Sequence, residues 1–142
     1  MKPSETNATI LPIKYIRTQQ IVVEGRINRK RIPLLIDTGA SHTVFHTETA
    51  RLLGLVMEES SQLGGGVGGV EMSLYKLRPM LITLGGVEWL CPKPAAMDLS
   101  HVMLGLKRAR ARQISAILGA DFLRKYQANI DYSKLEMSLF LV

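Results

Sequence analysis

The chain has 142 residues, 46% hydrophobic and 21% charged, the make-up of one globular domain with enough apolar residues for a real core. It carries a net charge of +6. Its single cysteine, Cys91, excludes an internal disulfide and any multi-thiolate metal centre within one subunit. No apolar run approaches the roughly 20 residues of a membrane-spanning helix.

Residues 1–15 are expected as a tail or an edge strand, and the N-terminus lacks the apolar stretch of a signal peptide, so the expected location is the cytoplasm. From Ile21 onward the pattern is mostly β, rich in Ile, Val and Leu. Ile21-Val22-Val23 and Ile32-Pro33-Leu34 flank Arg29-Lys30-Arg31, which predicts a hairpin with a basic tip. Leu34-Leu35-Ile36 then delivers Asp37-Thr38-Gly39 onto a tight turn.

Thr43-Val44-Phe45 reads as strand, and Thr47 to Leu53 as a short helix closed by Gly54 with Leu55 behind it. Gly64-Gly65-Gly66-Val67-Gly68-Gly69-Val70 lies between polar Ser60-Ser61-Gln62 and the alternating Glu71-Met72-Ser73-Leu74-Tyr75. Ile21 to Ile27 and Leu81 to Val87 form a weak repeat: each reads as an apolar strand, a Gly turn and a returning strand. A helix is predicted from Ser100, as N-cap, to about Ala111, with Leu99, Val102, Met103 and Leu106 at helical spacing.

Ala116-Ile117-Leu118-Gly119 is a second apolar run ending in Gly. A helical pattern from Asp121 to Tyr126 and a strand signal, Ala128 to Tyr132, follow it. The chain ends on Leu139-Phe140-Leu141-Val142, too apolar to fray in water. Either a strand of the same chain or a second copy must cover it.

Asp37-Thr38-Gly39 taken alone is ordinary turn chemistry, since Gly takes positive φ while Asp and Thr bond local backbone. A carboxylate that works as acid or base on a peptide bond needs a second one beside it, and this tripeptide occurs once. In order and spacing the Asp-Thr-Gly turn, the Gly-rich segment and the late Ile-Leu-Gly run resemble the retropepsin-like aspartic proteases, over roughly residues 20 to 142. Asp37-Thr38-Gly39-Ala40-Ser41 and Ile117 to Leu123 look most like the bacterial relatives.

The resemblance implies a mostly β, closed barrel or sandwich domain over 16–142 with two or three short helices, active as a homodimer. It implies an aspartic endopeptidase acting on extended peptides, with Asp37 of each subunit as the catalytic pair. Thr38 would lock the two loops together, Gly39 would leave room for substrate, and Ala40, Ile117, Leu118 and Gly119 would support the site. Gly65, Gly66, Val67, Gly68 and Gly69 would form a substrate-binding flap within about 60–75. Residues 100–112 look like an inserted surface helix. Ser41 stands where retroviral sequences usually carry Asp, and Ala120 where they carry Arg, so the ion pair joining those positions there cannot form here.

No cofactor or metal is expected. His42 and His46 share a His-x3-His spacing, but on a strand four residues span about 13 Å, too far for one ion. The basic clusters Arg29 to Arg31 and Lys107 to Arg112 read as solvated faces, and with few aromatics near them nucleic acid is not the expected partner. The rival reading is a catalytically silent dimeric module that binds peptides or assembles a complex on the same fold.

Overall fold

The structure is a computed structural model and describes residues 8–65 and 71–141. Short extended segments come first: Ala8–Pro12 (β1) and Lys14–Tyr15 (β2). Ile21–Ile27 (β3) and Lys30–Ile36 (β4) follow as a hairpin whose turn residues, Asn28 and Arg29, both have positive φ. The tip therefore lies one residue before the basic triplet's centre, and Lys30 already opens β4. Val44–His46 (β5) runs directly into Thr47–Leu52 (α1). That helix ends as expected: Gly54 has φ +71°, its N–H reaches the Arg51 carbonyl at 3.0 Å, and the Leu55 N–H reaches that of Ala50 at 2.9 Å.

Glu58–Gly65 (β6) and Glu71–Lys76 (β7) pair antiparallel, with Gly65 opposite Glu71. Of the expected flap, Gly66, Val67, Gly68 and Gly69 lie outside the described residues. Met80–Leu84 (β8) and Val87–Cys91 (β9) form a tight hairpin around Gly85 and Gly86, both at positive φ. Ala95–Met97 (β10) leads to Ser100–Arg108 (α2), Ala116–Leu118 (β11), Ala120–Lys125 (α3), Asn129–Asp131 (β12) and Glu136–Phe140 (β13).

Two expectations about local structure change. Helix α2 is capped differently, since Leu99 is its N-cap and Ser100 its first helical residue. The Asp98 carboxylate accepts the Ser100 N–H at 2.9 Å, and the Ser100 hydroxyl also donates to it. Gly25 makes no turn either: Ile21–Ile27 is one continuous strand, so the repeat with Leu81 to Val87 is only partial. A Cβ at Gly25 would lie 2.9 Å from Leu34 Cδ1 and 3.0 Å from Leu84 Cδ2. The glycine is there for close packing, whereas Gly85 and Gly86 do turn the chain.

The strands form two sheets. In the smaller, β13 lies between β1 and β12, antiparallel to both, so the strand Glu136–Phe140 is covered by its own chain, while Leu141 beyond it is exposed. The larger runs β6-β7-β10-β5-β11-β4-β3-β8-β9, with β2 paired to β3. Its ends, β6 and β9, do not pair among the described residues, so of the closed barrel or sandwich expected from the sequence, the closed barrel is not formed there. On β9 a side chain takes up edge capacity that a strand would use: the Tyr126 hydroxyl donates to the Leu90 carbonyl at 2.5 Å.

The main core lies on one face of the large sheet. Fully buried Trp89, Phe45 and Phe122 anchor it, and Tyr126 meets the rings of Trp89 and Phe122 edge-on at 4.9 Å each. The Trp89 indole N–H is satisfied by the Leu84 carbonyl at 3.1 Å. Two satellite clusters cover the opposite face. One joins Ile16, Val22, Leu35, Leu106 and Ile114; the other joins Val44, Leu74, Ala95, Met97 and Leu99, and partly buried Ile117 packs against both. No helix among the described residues is long and apolar enough to cross a membrane.

Candidate active site

Asp37 leaves β4 at the point where its apolar run ends. Strand β11 fixes that exit, because it runs between β4 and β5, parallel to the first and antiparallel to the second. In this register Ala116, Ile117 and Leu118 lie beside Leu34, Leu35 and Ile36. The Asp37 N–H then continues the ladder onto the Leu118 carbonyl at 3.1 Å. The late apolar run thus supports the Asp37 turn from beneath.

The turn itself is an Asx turn: the Gly39 N–H reaches Asp37 Oδ1 at 2.9 Å, and the Ala40 N–H reaches the Asp37 carbonyl at 3.2 Å. Asp37 and Ala40 are half-buried while Thr38 and Gly39 are exposed. The carboxylate is held by its own turn, and the two residues that follow it are exposed.

Gly119 is where the two loops touch. A Cβ there would lie 2.4 Å from the His42 carbonyl oxygen and 3.0 Å from that of Ala40. Both obstacles are backbone, so only glycine fits. The Ala120 N–H then binds the Ala40 carbonyl at 2.7 Å. That backbone bond joins the segments between which the retroviral-type ion pair is missing.

Beneath the turn lies Thr43, the one polar residue buried among the described residues. Its hydroxyl donates to Asp121 Oδ1 at 2.9 Å and accepts the Gly119 N–H at 3.1 Å. Sequence reasoning gave neither Thr43 nor Asp121 a part in the site. The available signal was a hydroxyl inside an apolar strand, paired with an acid in the first turn of the helix after Gly119. Buried Cys91 borders the same cluster: burial, and next the Asp121 charge, push its thiol up to about 12, against a hydrogen bond with Thr43.

His46, the second residue of the His-x3-His pair, has another task. Its Nδ1 accepts the Leu99 N–H at 3.0 Å, tying β5 to the start of α2, while His42 is exposed.

The sheet face that carries Asp37 is apolar on either side of Ile117. Leu35 lies two residues before Asp37 and therefore on the same side of β4. Ile117 and Val22 flank Leu35 across the sheet. Ile117, Leu118, Gly119 and the 37–40 turn thus come together in one place, and Gly65 ends the β6–β7 hairpin.

A strand that carries a carboxylate onto a turn, with a later strand threaded beneath it and ending in Gly, belongs to the retropepsin-like fold, and solved structures share it. A retropepsin-like aspartic protease from Rickettsia conorii superposes with TM-score 0.59 at 20% identity, over 93% of this chain and 89% of the other. The EIAV protease, solved with the inhibitor HBY-793, gives TM-score 0.57 at 22% identity, over 78% and 90%.

The chain belongs to the aspartyl protease family, whose model matches residues 23–122. It is also 25% identical, over 126 residues, to DNA damage-inducible protein 1 of Chaetomium globosum; the match takes in 87% of this chain and 25% of that relative, whose length it spans by about a quarter.

Proposed function

We propose that this chain is an aspartic endopeptidase that works as a homodimer on extended peptide segments, with Asp37 of each subunit forming the catalytic pair. One observation carries the reading. Each chain offers one Asp37 on a turn braced by Leu118 and Gly119, while the flanking Thr38 and Gly39 stay exposed, as a two-fold partner would need.

Two carboxylates brought together cannot easily both ionise, so they share a proton. The ionised one takes a proton from water as the oxygen attacks the scissile carbonyl, and the protonated one hydrogen-bonds to the carbonyl oxygen as charge builds there. The tetrahedral intermediate collapses when the carboxyl that took the water's proton passes it to the amine nitrogen and the C–N bond breaks. Thr38 joins the loops across the two-fold axis, and Gly39 leaves room for substrate backbone. Ala40, Ile117, Leu118 and Gly119 hold the turn. Gly65, Gly66, Val67, Gly68 and Gly69 act as a flap that closes over the peptide.

The test is hydrolysis of a fluorogenic peptide library across a dilution series. Activity per chain should fall as dimers dissociate, because one Asp37 alone lacks its partner. Asp37→Asn should lower kcat/KM by about 10²–10⁴-fold and leave dimerisation intact, since Asn keeps the shape but cannot act as base. Constant activity in a demonstrably monomeric solution would refute the paired site. A wild-type dimer that binds peptides and cleaves none would mark the chain as a silent peptide-binding or assembly module.

A further inference from the structure

The sheet face leading to Asp37 is walled by α2 and the turn that follows it. Leu106 of α2 and Ile114 beyond it are buried against Val22 and Leu35, in contact with partly buried Ile117. Leu99, at the start of the helix, packs in the other cluster on this face. The helix therefore strides across the face rather than standing off it.

Its exit is basic. Arg112 forms an ion pair with Glu24, which is the register partner of Pro33. Pro33 and Leu35 are successive same-side positions of β4 and Asp37 follows just past its end, so at about 3.3 Å per residue the Arg112–Glu24 pair lies about 13 Å along the chain from the Asp37 position. Four extended residues of a bound peptide cover the same length. Glu24 neutralises Arg112, but exposed Lys107, Arg108 and Arg110 form no ion pair among the described residues.

We propose that α2 and the turn after it form a basic shoulder of the substrate groove, selecting peptides with Asp or Glu about four residues from the scissile bond. The two-fold axis of the proposed dimer sets one shoulder at each end of the groove, so acids on either side of the cleavage site are favoured. This specificity rests on the endopeptidase reading. Complementary charge at an exposed rim acts mainly on encounter and affinity and weakens with salt, so it belongs in KM rather than kcat.

The test uses three fluorogenic peptides that share one cleavable core and carry Asp-Glu, Ser-Ser or Lys-Lys four residues out. At low salt the acidic peptide should show kcat/KM about tenfold above the lysine peptide, carried by KM and shrinking as salt rises. The variant Lys107→Glu/Arg108→Glu/Arg110→Glu should reverse the order and leave kcat on the Ser-Ser peptide unchanged. Equal kcat/KM for the three peptides, or a preference that survives the triple variant, would overturn the shoulder.

Fluorescence anisotropy with Asp37→Asn separates this proposal from the catalytic one. Tighter binding of the acidic peptide, lost in the triple variant, supports the shoulder even where no peptide is cleaved. No discrimination among the peptides, together with tight binding of a single-stranded oligonucleotide through the same three residues, would make the cluster a nucleic-acid surface and refute the proposal.

Discussion

Thr43 and Asp121 meet beneath the Asp37 turn through one hydroxyl, which donates to the carboxylate at 2.9 Å and accepts the Gly119 N–H at 3.1 Å. One buried group thus fixes both the strand after the Asp37 turn and the start of the helix after Gly119. Such two-sided bonds matter most when broken, because each partner then loses its contact where water reaches it poorly.

Thr43→Val keeps the shape and removes the hydroxyl, so it should destabilise the fold by about 1–3 kcal/mol. Thr43→Ser should recover most of that loss. Combined with Asp121→Ala, the valine variant should show non-additivity of at least about 0.5 kcal/mol in urea denaturation, as expected for residues in direct contact. Strictly additive losses would mean that the hydroxyl–carboxylate bond contributes nothing.

Gly119→Ala places a methyl group against the His42 and Ala40 carbonyls, neither of which can rotate away. Overpacking of this kind costs about 1–3 kcal/mol, and the displaced backbone carries the Asp37 turn with it. Peptide hydrolysis should fall more steeply than stability does. An alanine variant with wild-type turnover would show that the turn tolerates the shift.

Cys91 should make the protein sensitive to alkali. Its thiol is pushed up to about 12 in the fold against about 8.5 in an unfolded chain, so the folded state holds the proton more tightly. The stability this contributes is fully present below about pH 8.5 and is lost as pH rises toward 12, at up to about 1.4 kcal/mol per pH unit. Cys91→Ala should be less stable at pH 8 because of the cavity, yet lose stability more slowly between pH 8.5 and 11. Parallel wild-type and variant curves over that range would disprove this linkage.

Asp98 should act in the opposite direction. The Ser100 hydroxyl and then its N–H hold this carboxyl below the usual carboxylate range, so its contribution is present above about pH 3.9 and fades on acidification below it. Asp98→Asn mimics the protonated form. It should cost stability at pH 6 and progressively less as the pH falls below about 3.9, and a cost that stays constant on acidification would assign the effect to geometry alone.

The turn at Asp37, the run ending at Gly119 and the helix closed by Gly54 were legible in the sequence because each depends on neighbours within a few positions. The two-sided role of Thr43 was not, since its acid partner lies 78 positions away and nothing local distinguishes it from other strand threonines. Gly25 reads as a turn residue because composition does not tell a glycine that bends the chain from one that lets Leu34 and Leu84 approach. The open sheet found among the described residues was not legible for a similar reason: whether its terminal strands meet is decided by packing, not by alternation. The chain also supplies its own cover for the C-terminal strand, a choice the apolar ending left open.

The passage of β11 between β4 and β5 also sets an order on the chain's birth. As the polypeptide leaves the ribosome, Asp37 emerges before Leu118, so its N–H has no ladder partner until that residue follows. In the interval the apolar edges of β4 and β5 lack the strand that will separate them, and pairings this distant in sequence are slow to form. The carboxylate-bearing turn is therefore made before the strand that holds it, and a chain stopped short of Leu118 lacks the bond that anchors the Asp37 N–H.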